Sequence, residues 1–178
     1  MTMPRTNEPS ALEESIRAIL SGDHQRLEQS FDAIVKEAAG AEPRDLRDAW
    51  QAFEGDLLAH FDAEEAQVLP VFARSEPKEA RELLDEHARL RARLVELAID
   101  LDLHCLTPET ISAFVDELRA HAAREEQLFY PWAAQHLGQI VGTHLRQTLS
   151  KNGPLRMRPG EPRRLAVIPE CTQRRDPR

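Results

Sequence analysis

The 178 residues read as an all-α chain, an up-down-up-down four-helix bundle with a short extra C-terminal helix and a disordered tail. Three observations predict this. Glycine is scarce, at 7 residues, and charged and apolar residues (30% and 41%) alternate over long stretches, which favours helix. Prolines and cap residues punctuate the chain so as to leave four long helices of about 20–27 residues, each spanning roughly 30–40 Å. The connections between them are short, which makes neighbours antiparallel.

Each element has a local cause. Ser10 and Glu13 form a capping box that opens the first helix. Ser21-Gly22-Asp23 is expected to kink or re-cap it before His24, and Gly40 to end it. Pro43 suits the first turn of the second helix, which Pro70 kinks or ends because proline removes a backbone donor and clashes with the preceding turn. Pro77 opens a third helix reaching about Leu103. Thr107 caps the fourth, with Pro108 in its first turn and Glu109 near its positive end, and that helix runs to Pro131 or slightly past it. A short fifth helix covers Gln139 to Leu149. The chain therefore divides into a flexible N-terminus (1–10), the bundle (11–150) and a basic Pro/Arg-rich tail (151–178) expected to be disordered.

Charge separates the same regions. Residues 1–150 hold 15 Lys+Arg against 28 Asp+Glu, and residues 151–178 hold 8 against 3. An acidic body gives a nucleic-acid partner no electrostatic support. The apolar patch Leu165 to Pro169 offers a protein partner a place to dock, although an unstructured solubilising tail is the simpler reading. Two cysteines without C-x-x-C spacing, Cys105 and Cys171, exclude a disulfide scaffold or a thiolate zinc site. With no apolar leader and no run near the ~18–20 apolar residues of a membrane span, a cytoplasmic protein without a membrane partner is expected.

The chemistry lies in an internal repeat. "DHQRL" (Asp23 to Leu27) and "HFDAEEAQVLP" (His60 to Pro70) return as "EHARL" (Glu86 to Leu90) and "HAAREEQLFYP" (His121 to Pro131). In each predicted helix the repeated His or Glu replaces an apolar residue of the inward stripe: Leu20-His24-Leu27-Phe31, Leu57-His60-Glu64-Val68, Leu83-His87-Leu90-Leu94, and Leu118-His121-Glu125-Leu128. An isolated carboxylate there would cost several kcal/mol or become neutral. Four imidazoles and two carboxylates at one level need shared cations, and His24, His60, Glu64, His87, His121 and Glu125 are the expected metal ligands. His-x-x-x-Glu stacks both donors on one face, so each Glu can bridge two ions while its His caps one. Imidazole with carboxylate suits iron, manganese or zinc. The Glu-x-x-His pattern of ferritin-like sites is excluded, because Ser21, Leu57, Leu84 and Leu118 stand three before the histidines. The neighbours Asp23, Glu65, Glu86 and Glu126 are read as solvated helix faces, Tyr130 as core packing beside Phe129 and Trp132, and His104, His136 and His144 as surface or loop residues.

The pattern His, His-x-x-x-Glu, His, His-x-x-x-Glu resembles that of the hemerythrin-like HHE cation-binding family over about residues 12–137. The resemblance implies a non-haem di-iron centre, two iron ions with an oxo or hydroxo bridge, that binds or reacts with oxygen, nitric oxide or peroxide in oxidative or nitrosative stress. The oxygen carriers of that family have a second His four residues after the third-helix ligand, where this chain has Arg91, and end on His-x-x-x-x-Asp, where it has His121-x-x-x-Glu125. One imidazole fewer leaves a further open position, favouring reactivity or sensing over oxygen carriage. The alternatives are an iron or oxygen sensor without catalysis, or an iron donor of the iron-sulfur repair type. The latter usually carry an N-terminal cysteine segment, and this chain has no Cys before Cys105.

Overall fold

A computed structural model describes residues 11–38 and 43–151. The Ser10 capping position, the Gly40 stop, the N-terminal segment and all of the expected tail after Lys151 lie outside the described residues. Helices α1 (Ala11–Ala38), α2 (Pro43–Gln67), α3 (Leu69–Ser75), α4 (Pro77–Asp102), α5 (Pro108–Arg124), α6 (Tyr130–His136) and α7 (Gln139–Lys151) follow in order, with a π-helical turn, Glu125–Phe129, between α5 and α6. No strand occurs among the described residues.

The helices form where the stripes lie. In α4 the buried residues Leu83, His87, Leu90, Leu94, Leu97 and Leu101 step by 4, 3, 4, 3 and 4, the inward line of one helix. Thr107 caps α5 by accepting a hydrogen bond from Thr110 N at 3.2 Å. The expected kink at Ser21-Gly22-Asp23 is absent: α1 runs through it unbroken, because Leu20, Asp23 and Leu27 are all buried on one continuous face and tertiary packing outweighs the cost of one glycine.

Pairings between the long helices fall in opposite order along each partner. Asp23 meets His60 and Arg26 meets Asp56 between α1 and α2. Arg47 meets Asp102 and Arg91 meets Asp62 between α2 and α4. Glu86 meets His121 and Arg93 meets Glu117 between α4 and α5. Between α1 and α5, Glu28 meets Arg119 and Phe31 meets Phe114. Two apolar clusters fill the interior, one around Phe53, Phe61, Leu94 and Phe114, the other around Leu20, Leu69, Phe72, Phe129 and Leu145. The short α7 closes the second cluster against α1 and α2, with Gln67 Nε2 donating to Thr148 Oγ1 at 3.0 Å.

Candidate metal centre

All six predicted ligands converge in a polar layer between the two apolar clusters. His60, Glu64, His87, His121 and Glu125 are buried and His24 is nearly so. On one side His24 Nε2 lies 3.1 Å from His60 Nε2 and 3.2 Å from Glu125 Oε2. His60 Nε2 lies 3.5 Å from Glu64 Oε1. On the other side His87 Nε2 lies 3.5 Å from Glu64 Oε2 and 3.4 Å from Glu125 Oε1, and His121 Nε2 lies 3.1 Å from Glu125 Oε1. Each carboxylate thus turns one oxygen to the His24/His60 pair and the other to the His87/His121 pair. His24, His60 and Glu125 form one group of donors able to hold a metal ion, and His87, His121 and Glu125 form another.

Three of the four neighbouring acids are not solvated faces, contrary to the sequence reading. Asp23 Oδ2 stands 2.9 Å from His60 Nδ1, Glu65 Oε1 stands 2.9 Å from His87 Nδ1, and Glu86 Oε2 stands 2.8 Å from His121 Nδ1. Such a partner fixes the ring and keeps Nε2 aimed at the centre. Each acid is held in turn by arginine: Asp23 by Arg26, Glu65 by Arg91, Glu86 by Arg124. Arg91, which stands where the oxygen carriers have a histidine, also reaches Asp62 and lies over the Phe61 ring, 5.2 Å from its centroid. Glu126 falls short, with Oε1 3.8 Å from His24 Nδ1. The repeat itself carried the signal: an acid precedes each first histidine and follows each glutamate in both copies.

Tyr130 also departs from expectation. Its hydroxyl lies 2.8 Å from His24 Nε2 and donates to Glu64 Oε1 at 2.8 Å, with Glu125 Oε2 at 3.3 Å and His60 Nε2 at 3.5 Å. The cause is the π-helical turn. Pro131 has no N–H for the carbonyl of Gln127, and Tyr130 N bonds back to Glu125 O, five residues earlier. The extra residue rotates the helix beyond it. Leu128, expected on the inward stripe, is 52% exposed, and Phe129 and Tyr130 are fully buried in its stead. In the first copy Pro70 has a different effect: α2 stops at Gln67 and α3 begins at Leu69. His104, His136 and His144 are exposed, as the sequence predicts.

The electrostatics suit a cation. Burial, reinforced by the charge of Glu125, pushes the Glu64 carboxyl well above the usual range. Burial opposes ionisation of Glu125 as well, but the facing imidazoles of His121, His24 and His87 outweigh it and hold that carboxyl well below the usual range. Burial lowers His60 despite Asp23. It lowers His121 too, but Glu125 and Glu86 more than compensate and the imidazole ends up raised. Glu64 Oε2 and His121 Nε2 are buried without a hydrogen-bond partner, the approach of His121 to Glu125 lacking the alignment for one. Buried polar atoms left without a hydrogen-bond partner at this level fit a site completed by metal.

A chamber of about 290 Å³ reaches this layer from the surface between α1 and α5. Its inner end touches His24, His60 and His121, its walls include Leu27, Phe53, Leu57 and Val115, and the ion pair of Glu28 with Arg119 stands at its mouth.

Fold and site together define an all-helical protein with a candidate metal centre built on a duplicated helix pair. The profile of the hemerythrin HHE cation-binding domain matches residues 15–139, and the chain belongs to that family. No curated protein and no solved structure matches it. Among the described residues no helix is long and apolar enough to cross a membrane.

Proposed function

We propose that the chain is a non-haem di-iron protein in which His24 and His60 hold one ion, His87 and His121 hold the other, and Glu64 and Glu125 bridge them. The division of each buried carboxylate's two oxygens between the two histidine pairs carries this reading. The four long helices are then an up-down-up-down bundle, which the opposite order of their pairings supports. Bound iron would supply a Lewis-acidic, redox-active centre with open positions for oxygen, nitric oxide or peroxide. The protein's own part is to aim the imidazoles through Asp23, Glu65 and Glu86, to exclude bulk water with the two apolar clusters, and to admit a small neutral ligand through the chamber. Defence against oxidative or nitrosative stress is the setting this chemistry fits.

Metal analysis with absorption spectra of the iron-loaded protein tests the centre. Two irons per chain are expected, with loss of metal in Glu64→Ala and His121→Ala. One iron, or none, would refute it. Steady-state turnover of peroxide or nitric oxide tests the reactivity. A fully loaded protein no faster than free iron would leave a binding or sensing role in its place.

A further inference from the structure

Tyr130 is the only tyrosine of the chain, and its hydroxyl occupies the middle of one half of the centre. A phenol has one proton to donate. Here two carboxylate oxygens, at 2.8 and 3.3 Å, and two imidazole nitrogens, at 2.8 and 3.5 Å, surround it. That one proton cannot bind all four at once. A cation can, since donors bound at the usual metal–nitrogen and metal–oxygen distances stand about 3 Å apart when they meet at right angles. The separations among His24 Nε2, His60 Nε2, Glu64 Oε1, Glu125 Oε2 and the Tyr130 hydroxyl, 2.8 to 3.5 Å where the pairs are in contact, have that character.

Resting on the di-iron reading above, we propose that Tyr130 is a seventh protein ligand, bound through its oxygen to the ion held by His24 and His60. The phenolic O–H bond is exchanged for an oxygen–metal bond, the proton leaves to solvent, and no electron moves. The residue before Pro70 in the first copy is Leu69, buried in the apolar core, so the other ion has no such partner. The duplicated centre is therefore asymmetric. The tyrosine side has five protein donors and the His87/His121 side four, which in six-coordinate ions leaves one open position against two.

The test is the ferric protein, loaded with ferrous salt and oxidised in air, studied by visible absorption and resonance Raman alongside metal analysis. With a single tyrosine, any tyrosinate-to-iron charge-transfer band and its ring modes belong to Tyr130. The expected result is that band in the wild type and its loss in Tyr130→Phe, with intensity compared per iron bound. Two irons per chain without tyrosinate modes in the wild type would overturn the proposal and leave the di-iron reading standing. The same holds if Tyr130→Phe keeps the wild-type band. A chain that takes up no iron would overturn both. The wild-type spectrum decides even if the variant fails to fold.

Discussion

Replacing Asp23 by alanine separates an orienting role from a solvated one. Asp23 is buried, accepts from His60 Nδ1 at 2.9 Å and is bound by Arg26. Without it His60 Nδ1 becomes a buried group with no partner, which costs about 1–3 kcal/mol. Arg26 keeps Asp56 at 2.5 Å, so its charge remains compensated, and Arg26 is open enough to water that its lost pair adds little. The metal-free protein is therefore expected to lose about 1–3 kcal/mol, a fall in Tm of about 2–12 °C for a chain of this size. Freed rotation of His60 also weakens metal binding by about 10–100-fold, the usual cost of removing such a partner. Urea unfolding of the metal-free protein measures the first effect, and iron competition against a coloured chelator the second. Glu126→Ala is the internal control, because the 3.8 Å gap to His24 Nδ1 leaves little to lose, and less than about threefold is expected. The reasoning is refuted if Asp23→Ala binds iron within threefold of wild type at an unchanged unfolding midpoint, or if Glu126→Ala proves the more damaging.

Arg91→Ala is expected to weaken iron binding by up to about tenfold through the loosened Glu65, while a partly exposed ion pair puts the stability loss under about 1 kcal/mol; chelator competition and urea midpoints check both. Phe114→Ala, fully buried in the cluster remote from Tyr130, should cost about 3–5 kcal/mol yet leave the iron count of the folded fraction unchanged. Thr107→Ala removes the cap of α5 and should cost about 1 kcal/mol by urea unfolding, again without loss of metal. Removing iron with a chelator should lower Tm, since free iron at 100 times its Kd adds about 2.7 kcal/mol; equal Tm with and without iron would place the metal outside the folded core.

What the sequence revealed and what it concealed have separate physical causes. The six inward donors could be read because each interrupts an apolar stripe of fixed helical period, and because the interruptions recur in two copies. The role of Asp23, Glu65 and Glu86 depends on which helix stands next to which, information absent from a single helix's periodicity. An acid one residue from a ligand points about 100° away from it, which looks like a solvent face until the neighbouring imidazole is in place. Tyr130 was hidden by a change of period. A regular helix would put Leu128 and Phe129 on the Glu125 face, and one additional residue in the turn before Pro131 turns Leu128 outward and brings Tyr130 in. The same proline spacing breaks the helix after Gln67 in the first copy, so the motif alone does not say which irregularity a proline will produce.

The acid–imidazole contacts run in one rotational sense. α1 clasps α2 through Asp23 and His60, α2 clasps α4 through Glu65 and His87, and α4 clasps α5 through Glu86 and His121. The last link of this ring, from Glu126 back to His24 on α1, is slack. It lies beside the seam where the chamber opens. At the level of the donors the ring of acid–imidazole contacts is thus closed on three sides and open on the fourth, so breathing motions of this layer should concentrate where a ligand has to pass. Amide exchange should accordingly be faster along the α1–α5 seam than along the other three.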